Sequence, residues 1–231
     1  MITRSRKTVS GRGKPRGGIS RRVPNVRQLR KRILIVGEGR ETETNYFHGL
    51  KNKDEVSTVF ALIIKQGHGG SPEGVVRQAV EYKKREEHRD RERKRINAYD
   101  EVWCLLDVES PDNLESLTRA IALARDNGIL ICLSNPCFEV WFLLHFVKTG
   151  RHYNDSGAVV RDLSILWQRP FGNEYRKSDQ RIYKSLSSRT LEAIQNAQWV
   201  LEKHHEGKEN ALDCNSSTEV YRLVKFLLGR D

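Results

Sequence analysis

The chain has 231 residues and a formal charge of +11, from 41 Lys and Arg against 30 Asp and Glu. That length suits one sizeable domain with appendages, and no apolar run is long enough to span a bilayer. Twelve of the basic residues and none of the acidic ones lie in residues 1–32, leaving 29 basic against 30 acidic side chains for the rest.

The basic character therefore belongs to an arm. Residues 1–32 include Arg4, Arg12, Lys14, Arg21 and Arg22, with glycines at 11, 13, 17 and 18. Too few apolar side chains are present to offset the entropy of ordering such a segment, so a disordered arm is expected. Arms of this kind bind nucleic-acid phosphates by counterion release without reading sequence, and Arg21 and Arg22 are candidate contacts. A solubilising leader would have the same composition. The arm lacks the apolar core of a secretory signal, so a cytoplasmic protein with no membrane partner is expected. Cys104, Cys132, Cys137 and Cys214 form no C-x-x-C pair and mostly sit in apolar runs. They read as buried reduced thiols rather than zinc ligands or disulfides.

From residue 33 the hydrophobic period alternates between strand and helix. Residues 33–37 (ILIVG) predict a buried strand, and residues 44–53 a short helix with Tyr46, Phe47 and Leu50 on one face. Residues 59–65 predict a second strand, followed by the loop Gly67-His68-Gly69-Gly70-Ser71. Pro72 suits the first position of a helix running to about residue 95, with Ser71 as its N-cap. Residues 81–95 hold eight basic and five acidic side chains. They predict a solvated helix face with i,i+4 pairs more than a phosphate-tracking surface. A third strand follows at 101–107. Leu114, Leu117, Ile121 and Leu123 recur at helical spacing until Gly128, and residues 129–133 predict a fourth strand. After Asn135-Pro136 a strongly apolar helix is expected over 137–148, then polar loops with helices near 158–167, 188–205 and 216–228.

Continuous apolar strands separated by amphipathic helices predict an α/β fold with a mainly parallel sheet covered on both faces. Ligands of such sheets bind beyond the carboxyl ends of the strands. The expected organisation is a basic arm at 1–32, an α/β core at 33–150 and a helical extension at 151–231 packed on the core.

Carboxylates fall where that crevice is expected. Glu38 follows the first strand, while Asp107 and Glu109 end the third. Rigid strand ends can hold acidic ligands around Mg²⁺ or Mn²⁺, and such an ion can stabilise a transferring phosphoryl group and activate water. Taken singly, each acid could equally cap a helix or end a strand. Glu43, at the start of the following helix, could project back into the crevice or face solvent. Glu139, one turn into the helix after Asn135, could point to the same place. Asn135 itself could orient substrate or act as an N-cap. The loop from Gly67 to Ser71 could cradle a phosphate through backbone N–H groups, although it lacks the lysine of a P-loop. Lys177 and Arg181 are candidate phosphate contacts. His145, alone in an apolar run, reads as a buried core histidine. No G-x-S-x-G elbow, zinc-protease helix or Walker A sequence is present, so ATP hydrolysis would have to come from a partner.

Several of these segments together resemble one family. Residues 33–47 (ILIVGEGRETETNYF), 102–109 (VWCLLDVE) and 134–141 (SNPCFEVW) with LLHF at 143–146 resemble successive motifs of RloB-like proteins. Tyr175-Arg176-Lys177-Ser178-Asp179 and Asn215-Ser216-Ser217-Thr218 fit its later positions, in the right order. That resemblance implies a Toprim-like fold and Mg²⁺- or Mn²⁺-dependent phosphodiester cleavage in defence against phage, beside an AAA ATPase partner. It implies that Glu38 is the metal-linked or acid/base residue and Asp107 with Glu109 the metal pair, with Glu43 and Glu139 as further ligands. Glu109 stands where the related Asp-x-Asp pattern has a second Asp, which adds a methylene and moves the carboxylate outward.

The leading expectation is a nuclease acting on DNA or RNA, tRNA included. The alternative is a non-catalytic binding module docking on an ATPase and nucleic acid. A third, weaker reading is a nucleotide-binding signalling domain. A homo-oligomer is compatible with all three.

Overall fold

The computed structural model describes residues 30–39, 41–67, 70–93, 98–109, 114–204 and 211–230. The expected disorder of the arm and the contacts assigned to Arg21 and Arg22 lie outside the described residues, as do His68 and Gly69 of the glycine loop.

Strand β1 (Lys31–Gly37) is followed by α1 (Thr42–Lys51) and α2 (Asp54–Val59), then β2 (Phe60–Gln66). Next come α3 (Pro72–Arg93), β3 (Glu101–Asp107), α4 (Leu114–Asp126) and β4 (Leu130–Asn135). The remainder comprises α5 (Glu139–Leu143), α6 (Ser156–Phe171), α7 (Ile182–Leu186), α8 (Thr190–Trp199), the two-residue strand β5 (Ser217–Thr218) and α9 (Val220–Leu227). The sheet order is β2-β1-β3-β4-β5, with β1 to β4 parallel and β5 antiparallel to β4. The fold is thus α/β with a mostly parallel mixed sheet, consistent with a Toprim-like architecture.

Period-two alternation explains why the strands read as unbroken apolar runs. Ile33 and Ile35 of β1 and Trp103 and Leu105 of β3 belong to one buried cluster, while Leu34, Val36, Val102, Cys104 and Leu106 belong to the other. Both faces are therefore dry. The face bearing Leu34 and Val36 is covered by Val75, Val76 and Ala79 of α3 and Leu117, Ala120 and Ala124 of α4. The opposite face is covered by Tyr46, Phe47 and Leu50 of α1, by α5, and by side chains of α6 to α9. Helices after residue 150 thus share one continuous core with β1 and β3. Close approach is needed at one point: a Cβ on Gly49 of α1 would overlap the Tyr183 side chain of α7, so glycine there lets α7 settle against α1. All four cysteines are buried free thiols.

Strand order fixes the site. The chain steps from β1 outward to β2, then returns past β1 to β3 and continues to β4. That reversal puts α1 on one face and α3 and α4 on the other, and leaves the carboxyl ends of β1 and β3 at the topological switch point, where ligands of open α/β sheets bind.

Local structure departs from expectation in four places. First, α2 forms between α1 and β2, opened by Asp54 and Glu55 in its first turn, where carboxylates favour a helix N-terminus. Second, the helix expected over 137–148 is only α5. His145 and Phe146 donate to carbonyls three residues back, a tighter turn than the α-helical one, and the Leu144 carbonyl accepts the Asn196 side-chain amide at 2.8 Å. Third, α7 was not expected. Fourth, residues 217–218, placed in a helix by their spacing, instead pair with β4 as β5. Ser71 does cap α3, accepting from the Gly74 N–H at 3.2 Å, and ion pairs such as Arg89–Glu86 at 3.0 Å lie on the solvated face of that helix.

Candidate functional site

The site starts from the last residues of β1. Gly37 pairs with Leu105 of β3, and the chain bends immediately afterwards through Glu38 and Gly39. This bend turns the half-buried Glu38 toward β3, where Oε2 accepts the backbone N–H of Asp107 at 3.2 Å. A carboxylate after one strand thus closes onto the end of its neighbour.

Glu43 reaches the same place from α1. It lies in the first turn of that helix and is only 3% exposed, and its Oε1 accepts the Gly39 N–H at 2.8 Å. A Cβ on Gly39 would lie on the Glu43 carboxylate, so glycine is required for this return contact. The other oxygen, Oε2, is buried without a hydrogen-bond partner.

Asp107 ends β3, and alternation from Trp103 and Leu105 puts it on the α1 and α5 side of the sheet. The backbone beyond it stays tied to β4 through Val108 N–H to Ser134 O at 2.9 Å and Glu109 N–H to Pro136 O at 2.8 Å. Glu109 is exposed and adopts φ 39°, a left-handed conformation unusual for a non-glycine residue. Glu139, 2% exposed at the start of α5, completes the group. Its Oε1 lies 2.8 Å from Lys177 Nζ and accepts from the Tyr175 hydroxyl at 3.4 Å.

Electrostatics register the crowding. Burial, reinforced by the charges of Glu109 and Glu43 and opposed by the Asp107 N–H, pushes the Glu38 carboxyl up from 4.5 to about 7. Burial holds Glu43 above the ordinary carboxylate range, with Glu139 adding to the rise and Lys177 opposing it. Asp107 is held well above its ordinary value, first by burial and then by Glu43, Glu139, Glu38 and Glu109. These acids are near enough to resist ionising together. Among the described residues, no three His, Cys, Asp or Glu side chains converge in the geometry of a formed metal site. The donor set still fits a hard divalent cation: oxygen ligands, excess negative charge, and a buried carboxylate oxygen without a partner.

A family model for RloB-like protein matches residues 33–227, most of the chain. The chain belongs to the RloB-like family. No curated protein and no solved structure matches it. The matched region of this RloB-like chain contains every acid of the cluster and the whole of α5 to α9.

Of the candidates read from the sequence, Glu38, Glu43, Asp107 and Glu139 come together, Glu109 stands exposed beside them, and Lys177 joins through Glu139. Arg181 does not enter the cluster. It is exposed, its Nε lies 3.7 Å from Asp179, and it lines a separate cleft of about 550 Å³ with Asn173, Glu174 and Arg176. Asn135 is neither a helix cap nor aimed at the acids. Its amide donates to the Ala211 and Leu212 carbonyls at 3.0 and 3.1 Å, tying β4 to the segment before β5. His145 is a core residue: Nδ1 bonds the Trp141 carbonyl at 2.8 Å, and burial pushes it down to about 3, so the ring is neutral. The Tyr175 and Lys177 contacts to Glu139 were not visible from spacing, because they span more than thirty residues; the Tyr-Arg-Lys-Ser-Asp motif was their only signal.

Proposed function

We propose that this RloB-like protein is a metal-dependent nuclease that hydrolyses phosphodiesters of DNA or RNA at the carboxyl ends of β1 and β3. The observation that carries this reading is the placement of Glu38, Glu43 and Asp107 at the sheet's switch point, Glu38 bonded to the Asp107 N–H and Glu43 to the Gly39 N–H, with the other, buried Glu43 oxygen left without a partner. Acids that resist joint ionisation gain most from a bound cation. Asp107, Glu38 and Glu43 would hold Mg²⁺ or Mn²⁺, with Glu109 reaching in from the rim. When bound, the ion supplies Lewis acidity to the phosphoryl oxygen and lowers the pKa of water.

The chain's own residues do the rest. In the metal-free protein the Glu38 carboxyl is pushed up to about 7; a bound cation would favour its ionised form, the form a ligand needs. Its bond to the Asp107 N–H fixes the carboxylate in the crevice. The basic arm would attract the polyanion. The family resemblance supports a role in anti-phage defence as effector of an AAA ATPase, which would supply the nucleotide hydrolysis for which this sequence has no Walker A motif.

A second reading, a non-catalytic module docking on an ATPase and nucleic acid, is favoured by the exposure and left-handed backbone of Glu109. The test is incubation with plasmid, single-stranded DNA and tRNA in Mg²⁺, with and without the ATPase. Cleavage should be lost on Glu38→Ala while thermal unfolding shows a folded protein. Equal cleavage by that variant, or cleavage surviving chelation, would remove the metal-nuclease assignment.

A further inference from the structure

Burying a carboxylate as deeply as Glu139 is costly unless a positive charge or hydrogen-bond donors reach it. Lys177 brings that charge, with Nζ 2.8 Å from Oε1, and the Tyr175 hydroxyl donates to the same oxygen. The arrangement is anchored. Tyr175 is buried, with its ring 6.2 Å from that of Phe142 and 5.6 Å from that of Trp167. The segment joining α6 to α7 is thereby pinned two residues before Lys177.

The ammonium acts on more than Glu139. It opposes the rise in the Glu43 carboxyl, and Asp107 in turn favours its charged form. Among the described residues, no other basic side chain forms an ion pair with Glu38, Glu43, Asp107, Glu109 or Glu139. Lys177 also keeps a 55% exposed side chain, which leaves its ammonium accessible to a phosphate. Phosphodiester hydrolysis is commonly served by two cations, one for the attacking and one for the leaving oxygen. A lysine ammonium is a compact point charge able to stand in for one of them.

We propose that Lys177 is the built-in second cation of this centre: by occupying Glu139 it limits the carboxylate cluster to one divalent ion, held on the Glu38 and Asp107 side. This rests on the metal-dependent reading above, and metal counting separates the two. Mn²⁺ binding to the full chain, followed by the electron paramagnetic resonance of free Mn²⁺, should give about one ion per chain for the native protein and for Lys177→Arg. Lys177→Met keeps the length and removes the charge, and should bind about two. Adding Glu139→Gln to that variant should return the count to about one, and Lys177→Gln provides the same reading if the Met variant does not fold. Two ions on the native protein would mean that Lys177 yields to a metal, and a count of one on both neutral variants would mean that Glu139 is no latent ligand. Either result overturns the proposal while leaving a metal site. No Mn²⁺ on the native protein would overturn the metal reading and this inference with it.

Discussion

Replacing Glu38 by Gln should stabilise the metal-free protein at alkaline pH while removing its activity. Gln is nearly isosteric and retains an oxygen to accept the Asp107 N–H, now at 3.2 Å, so the change isolates the charge. Burial raises the Glu38 carboxyl from 4.5 to about 7. A raised acid favours folding while protonated, so its contribution is fully present below about pH 4.5 and is lost as pH rises through about 7. At about 1.36 kcal/mol per pKa unit, the unscreened cost of ionisation would be about 3 kcal/mol. Glu38 is only half-buried, and solvent screening lowers this to about 1–2 kcal/mol. For a chain of this size that corresponds to roughly 2–8 °C in Tm. Thermal unfolding in chelator should therefore show Glu38→Gln above wild type by that margin at pH 8 and equal to it at pH 4. A variant no more stable than wild type at pH 8, or stabilised equally at both pH values, would refute the assignment of Glu38 as a half-buried acid that resists ionisation.

Other expected outcomes follow from the same geometry. Mg²⁺ should raise the Tm of the native protein, by about 2.7 kcal/mol of stability at one hundred times its Kd, and Asp107→Asn should lose most of that gain. Gly39→Ala places a Cβ on the Glu43 carboxylate; urea unfolding should show a loss of about 1–3 kcal/mol, and Mg²⁺ affinity should fall as Glu43 is displaced. Tyr175→Ala should cost about 3–5 kcal/mol, as removal of a large buried aromatic ring does, whereas Tyr175→Phe should cost far less, because the ring stays and Lys177 still reaches Glu139 at 2.8 Å. Deleting residues 1–29 should weaken nucleic-acid binding and flatten its salt dependence; an unchanged slope would exclude the arm from binding.

The parallel sheet was legible in the sequence because β1 and β3 are buried on both faces, so each appears as an unbroken apolar run. Glu38 and Asp107 were legible for a related reason, since strand ends in such sheets are predictable places for chemistry. Long-range polar contacts were not. The Leu144 carbonyl accepts the Asn196 amide from α8, at the end of a helix that is shorter than the three turns its apolar spacing alone predicts. Asn135 turned out to brace the segment before β5, because its amide partners lie more than seventy residues away. Apart from its place in the Tyr175-to-Asp179 motif, Lys177 carries no local mark distinguishing it from Arg181; in the fold the two are separated by the burial of Tyr175 and Glu139.

The most direct test of the central claim is anomalous diffraction from crystals soaked in Mn²⁺. A peak within coordinating distance of the Asp107 carboxylate and bordered by Glu38 and Glu43 is predicted, absent from crystals of Asp107→Asn. A map without density at the ends of β1 and β3, or a peak there that persists in Asp107→Asn, would contradict the account.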